Sequence, residues 1–225
     1  MNDIELALRQ AIIDACLMMN AHGVNQGMSG NISARWGDAI LITPSGLPYE
    51  DMEPEDIAVM PLEGEYGKWT GPYAPSTEWR FHIDIMRARP EVGAIVHAHS
   101  RYATVLSICG REIPAIHYMI AMCGGPTVRL APYATFGTKA LSTNALKALE
   151  GRNACLLAHH GTIALGPDVR RAVALAEELE NLAAQYYFSL RLGGAGTLSD
   201  AEIGVVAEKT KNYWVMKRKP PLRKE

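Results

Sequence analysis

Apolar side chains recur along this chain at two periods. Ile4, Leu8, Ile12, Cys16 and Met19 fall three to four residues apart, which predicts an amphipathic helix over residues 4–20, with Gly23 placed to end it. Trp79, His82, Ile83 and Met86 share one face of a helix expected from Thr77 to about Ala88, and Pro90 follows it. "RYATVLSIC" predicts a short helix, "GTKALSTNALKALEG" one closed by Gly151, and Asp168 opens a long one reaching about Leu192. Ser199 with Glu202 three residues on is a capping-box signature for a last helix. Between these lie short apolar runs that predict strands: "AILIT" (39–43), "DIAVMPL" (56–62), "VGAIVHAH" (92–99) and "NACLLAHHG" (153–161), with "TIAL" continuing the sheet. "NQGMSGNIS" predicts a glycine-punctuated turn, and the stretch before Phe136 is mixed.

Strands and helices alternate, so the expected class is α/β, and the 225 residues suit one domain or two tightly merged ones. A net charge of −2 favours neither nucleic acid nor a membrane surface as partner, and no apolar run approaches the length of a membrane span. Asp3 and Glu5 stand where a secretory signal would carry bases, so a cytoplasmic location is expected. Cys16, Cys109, Cys123 and Cys155 have neither zinc-ribbon nor disulfide-framework spacing and read as small buried hydrophobes. The basic end, "KRKPPLRKE", reads as a solvated, mobile tail.

The histidines carry the chemistry. Successive strand side chains point to opposite faces, so His97 and His99 share a face at a strand end, where neutral imidazoles can share a metal ion. The run "ACLLAHHG" ends in His159 and His160, of which at most one can face the same site. Three histidines leave an open fourth position, the arrangement of catalytic zinc. His22 reads as a helix-end histidine, His82 as core, and His117 and the unused member of the 159/160 pair as candidates to orient ligands.

Glu78 lies at a helix start, where beside a metal it can act as ligand or proton carrier. "SGN" (29–31), "PSG" (44–46) and "STE" (76–78) offer small residues, backbone N–H groups and hydroxyls or an amide, the makings of anion cradles. With a metal they point to a small phosphorylated substrate.

"GMSGNIS", "LITPSGLPYE", "PSTEWRFH", "IVHAHS", "IPAIHYMI", "PYATFGTKAL" and "LLAHHG", in this order over residues 4 to 215, resemble the class II aldolase/adducin family, nearest its L-fuculose-1-phosphate aldolase group. The resemblance implies one α/β domain over residues 1–216, with a mixed, largely antiparallel central sheet flanked by helices, a tail over 217–225, and a homotetramer with sites at subunit interfaces. It implies a Zn²⁺ site (Co²⁺ or Mn²⁺ being alternatives) of His97, His99 and His160, since the family's third ligand precedes the glycine. Glu78 is implied as acid/base, and Gly30, Asn31, Ser45, Gly46, Ser76 and Thr77 as phosphate cradle. Tyr118 is implied as a proton donor reaching a neighbouring subunit's site, Phe136 as lining the aldehyde end, and Tyr213 as closing over it. The implied activity is reversible cleavage of a ketose 1-phosphate, such as L-fuculose 1-phosphate or a 5-deoxy- or 5-methylthio-pentulose 1-phosphate, to dihydroxyacetone phosphate and an aldehyde. Rival readings are a methylthioribulose-1-phosphate dehydratase, a pentulose-5-phosphate 4-epimerase and a non-catalytic adducin-like binding module. The epimerases carry a "DTPTH"-like segment where this chain has "EWRFH". His159 departs from an Asn and Thr77 from a Ser common in the fuculose group.

Overall fold

The computed structural model describes residues 1–210. Tyr213 and the expected tail lie outside the described residues. Six helices alternate with seven strands: α1 (Asp3–Ala21), β1 (Asn31–Trp36), β2 (Ala39–Ile42), β3 (Ala58–Pro61), α2 (Trp79–Ala88), β4 (Ala94–Ala98), α3 (Arg101–Ile108), β5 (Arg129–Ala131), α4 (Lys139–Ala148), β6 (Ala154–Leu157), β7 (Gly161–Gly166), α5 (Val169–Arg191) and α6 (Asp200–Thr210). The strands form one sheet in the order β3-β2-β1-β4-β7-β6-β5. Only the β5–β6 pair is parallel; the other neighbours are antiparallel. This is the expected α/β domain with a mixed, largely antiparallel sheet.

Strand alternation divides the core between two faces. Ile32, Ala34, Val96, Ala98, Leu156 and Ala164 pack toward α1, α3 and α5, while Ile40, Ile95, Cys155, Leu157, Ile163 and Leu165 pack toward α2 and α4. His97 falls in the second set by parity, edge-on to Phe81 of α2. The central strands are buried along both faces, which is why they read as near-continuous apolar runs.

Two strands escape the sequence reading. β1 begins at Asn31, inside the expected turn; its polar Asn31 and Ser33 are buried and hydrogen-bonded, so the usual outward meaning of polar positions is reversed. β5 has three residues, too few to show a period. The strand expected from Asp56 starts at Ala58, because Pro54–Asp56 form a 3-10 turn boxed by Glu53 and Asp56. His159 and His160 lie beyond β6, in the turn to β7, rather than on a strand. Cys16, Cys123 and Cys155 are buried as expected, whereas Cys109 is exposed. No helix of the described residues is long and apolar enough to cross a membrane.

The register places a set of strand ends along one edge of the sheet. Asn31 at the start of β1 pairs with His97 near the end of β4, Ala98 pairs with Thr162 at the start of β7, and Leu157 at the end of β6 pairs with Gly161. Ala131 at the end of β5 pairs with Leu157, and Ile42 at the end of β2 with Ala58 at the start of β3. Glu180 of α5 secures this edge by accepting the backbone N–H groups of Tyr102 and Ala103 at 2.7 and 3.0 Å, fixing the first turn of α3 directly after His99.

The far edge is tight. A Cβ on Gly93 would stand 2.1 Å from the carbonyl oxygen of Pro167, a backbone atom that cannot swing aside. Gly93→Ala is therefore expected to destabilise the fold by about 1–3 kcal/mol, read as a lower urea midpoint with an unchanged slope; an unchanged midpoint would show that this edge is looser than described.

Candidate active site

Four electron-rich groups meet at the sheet edge. His97 and His99, two residues apart on β4 and just beyond it, face the same way with their Nε2 atoms 3.0 Å apart. His160 enters from the β6–β7 turn, its ring centroid 4.8 and 4.9 Å from those of His97 and His99. Glu78 arrives from the opposite element. As the residue capping α2 its carboxylate makes no cap hydrogen bond; Oε2 lies 2.9 Å from His97 and Oε1 3.3 Å from His160. The helix thus starts two residues later than expected, at Trp79, and the freed carboxylate points into the cluster.

His97, His99 and Glu78 are held by further residues. The His97 Nδ1–H donates to the carbonyl of Thr162 at 2.9 Å, which turns Nε2 toward the cluster. The backbone N–H of His99 donates to buried Asn25, whose amide also reaches Tyr49; the Tyr49 hydroxyl donates to the carbonyl of Gly30 at 2.6 Å. Behind Glu78 runs a relay: Ser33 Oγ is 2.8 Å from His82 Nδ1, His82 Nε2 is 2.6 Å from Asn31 Oδ1, and the Asn31 amide donates to Glu78 Oε2 at 3.1 Å. With Asn31 Oδ1 as acceptor, His82 donates from Nε2 and accepts from Ser33. His82 is buried on its helix as expected, but as a hydrogen-bonded relay rather than packing alone.

The electrostatics suit a cation among these groups. Burial lowers the pKa of His82 to about 3 and those of His99 and His160 to about 4, so all three are neutral, the ligating form, at neutral pH. Burial, the largest single influence, opposes charge on Glu78 and His97, but the opposite charge of each partner and the hydrogen bonds around them together outweigh it, holding Glu78 well below the carboxylate range and His97 above the histidine range. Without metal, a proton on His97 balances Glu78. The four ligating atoms all lie within 4.8 Å of one another, and ligands about 2.0–2.1 Å from one zinc ion stand about 3.3 Å apart in a tetrahedron. Glu78 Oε1 is buried without a hydrogen bond. The residues fit a divalent metal.

The cluster opens into a cleft of about 380 Å³, lined by all six expected cradle residues, Gly30, Asn31, Ser45, Gly46, Ser76 and Thr77, and by Glu78, His99, His160 and Phe136. Tyr118 starts a 3-10 turn (Tyr118–Cys123), is half exposed and does not line its own chain's cleft. His117 caps that turn with its ring tilted against Tyr118, centroids 4.6 Å apart, and His22 pairs with Glu177 at 2.6 Å. Met28, Tyr133 and His159 also line the cleft. Of the residues the sequence reading misses here, Asn25 and Ser33 lie in the stretch read as a turn, and Tyr49 and Tyr133 lie in quoted segments that gave them no role.

Residues 10–187 match the family described as Class II Aldolase and Adducin N-terminal domain. The chain belongs to the class II aldolase and adducin family. Among its relatives, a 5-methylthioribulose-1-phosphate/5-deoxyribulose-1-phosphate aldolase of Rhodospirillum rubrum is 51% identical over 92% of this chain and 93% of its own length. The L-fuculose phosphate aldolase of Escherichia coli is 46% identical, covering 92% and 95%. A solved L-fuculose 1-phosphate aldolase superposes with a TM-score of 0.87 at 38% identity, covering 91% of this chain and 96% of that one. As a class II aldolase, this chain has a Glu/His₃ group that can hold the metal such enzymes depend on.

The metal-free class II aldolase site has an acid signature. Its neutral His82, His99 and His160 take up protons near pH 6.5 only when the chain unfolds, so the unfolded state binds more protons below that pH. Their contribution to stability, complete above about 6.5, falls as pH drops toward 4; His97, with its raised pKa, works in the opposite sense but is one against three. Chelator-treated protein should show a lower urea midpoint at pH 5 than at pH 7, and an equal or higher one would contradict these assignments.

Proposed function

We propose that this chain is a zinc-dependent class II aldolase that reversibly cleaves a ketose 1-phosphate to dihydroxyacetone phosphate and an aldehyde, working as a homotetramer. The observation that carries the reading is a Glu/His₃ cluster that could hold a metal, with a set of small polar residues in the same cleft. L-Fuculose 1-phosphate and the 5-deoxy- and 5-methylthio-pentulose 1-phosphates share the half of the molecule this cleft addresses.

His97, His99 and His160 hold the zinc ion, which when bound supplies Lewis-acid stabilisation of negative charge on the substrate's carbonyl oxygen. Gly30, Asn31, Ser45, Gly46, Ser76 and Thr77 bind the phosphate. Backbone at Gly46, whose φ of 74° favours glycine, approaches the anion closely, and Ser76 and Thr77 lie just before α2, whose N-terminus favours negative charge. Tyr118 from a neighbouring copy accepts the proton of the hydroxyl that becomes the aldehyde. Glu78 delivers a proton to the carbon left behind, giving dihydroxyacetone phosphate. Burial favours its proton-carrying form, while the positive charge beside it favours the carboxylate.

Glu78→Gln should retain stoichiometric zinc, held by the three histidines, and lose about 10²–10⁴-fold in turnover, the usual worth of a positioned acid/base. Turnover near wild type would remove Glu78 from this role. Borohydride added during turnover should trap no adduct on the protein, whereas a trapped lysine adduct would replace the metal mechanism with a Schiff-base one.

A further inference from the structure

Tyr118 stands at the front of a turn whose backbone is pinned. The 3-10 turn Tyr118–Cys123 buries Ile120, Ala121 and Cys123. Asn153, just before β6, holds its end: its backbone N–H donates to the Cys123 carbonyl at 2.7 Å, and its side-chain amide to that of Met122 at 3.3 Å. Gly124 closes the turn with a left-handed φ of 89°, where a Cβ would stand 2.9 Å from backbone atoms of Arg152 and Asn153. Upstream, the Leu198 N–H donates to the Ala115 carbonyl at 2.9 Å. The chain is thus fixed on both sides of Tyr118, while the tyrosine itself is 49% exposed. An exposed side chain on a rigid backbone still has staggered χ1 wells to choose among, so aiming it takes a contact beyond the backbone.

His117 is placed to supply that contact. Its Nδ1 accepts the Met119 backbone N–H at 3.3 Å, capping the turn. Asparagine, aspartate, serine or threonine usually fill a capping position, with less bulk. The imidazole adds a face: its ring centroid lies 4.6 Å from that of Tyr118, the planes 37° apart. With Nδ1 accepting, the neutral ring carries its proton on Nε2. Half-buried Glu178 of α5 feels this ring; burial raises the pKa of Glu178, and His117 and a hydrogen bond from Asn181 pull the other way. The sequence offers His117 as a candidate to orient metal ligands, but its hydrogen bond and ring contact go to Met119 and Tyr118.

We propose that His117 is a positioning residue for Tyr118: capped onto the turn, its ring holds the tyrosine in the direction in which it meets a neighbouring copy's cleft. The inference rests on the aldolase reading above, which gives Tyr118 its part in that cleft. His117 then acts on the proton-transfer step and leaves zinc and phosphate binding alone.

The test uses the zinc-loaded full chain and L-fuculose 1-phosphate or 5-deoxy-D-ribulose 1-phosphate, whichever it cleaves faster. His117→Asn keeps a capping acceptor and removes the ring. Its kcat should fall about 10-fold, between the roughly threefold of an unrestrained χ1 and the about 10²-fold of an ångström's misplacement, with KM within about twofold and zinc stoichiometric. His117→Phe keeps a ring and removes the cap, and should hold kcat within about threefold of wild type. Tyr118→Phe should itself lose about 10²–10⁴-fold, and adding His117→Asn to it should cost no more than about twofold, because no hydroxyl is left to aim. An unchanged kcat in His117→Asn, a loss that His117→Phe does not reverse, or a full further loss on top of Tyr118→Phe would overturn the positioning role and leave the aldolase reading standing. Tyr118→Phe at the wild-type rate would remove Tyr118 from the reaction, and no cleavage of either substrate by zinc-loaded wild type would overturn the aldolase reading; either result takes the positioning role with it.

Discussion

Three imidazoles and a carboxylate brought within 4.8 Å of one another, mostly out of water, form an arrangement that repels itself unless a positive charge sits among them. Without metal that charge is a proton shared between His97 and Glu78, two groups whose pKa values are displaced in opposite directions by each other. A divalent ion could meet the same demand among these groups. The rest of the molecule holds these four groups in place against their mutual repulsion. The β4–β7 pairing aims His97 through the Thr162 carbonyl, Glu180 stiffens the chain just past His99, and the Ser33–His82–Asn31 relay keeps a donor on Glu78.

The same edge turns fold into function. Antiparallel neighbours place one strand's end beside the next one's start, so residues distant in sequence arrive together: position 31 beside 97, and 98 beside 162. Loops leaving that edge have no room for bulk where backbone meets backbone, as the Gly30 approach to the His97 carbonyl and the Gly161 approach to the Ala98 carbonyl show. The small residues beside the histidines are therefore constrained by the packing behind them.

Much of this was legible in the sequence. His97 and His99 are readable because strand parity is strict, and the helices because their apolar stripes face a layer core. The alternation at β1 was obscured because its polar residues point inward to a hydrogen-bonded relay, a reversal visible only once Glu78 and His82 are opposite it. The choice of His160 over His159 came from the family resemblance; the structure brings His160 to Glu78, His97 and His99 and leaves His159, with its left-handed backbone, outside that group. Asn25 and Tyr49, whose hydrogen bonds span 74 and 19 residues, were beyond any local pattern.

The most direct test of the account is release of dihydroxyacetone phosphate from a ketose 1-phosphate by the purified protein as isolated, after EDTA, and after Zn²⁺ is restored. Release that EDTA abolishes and zinc restores is the predicted result. Release that persists at full rate in protein shown to be free of metal would contradict the claim that the Glu78, His97, His99 and His160 cluster works by holding a cation.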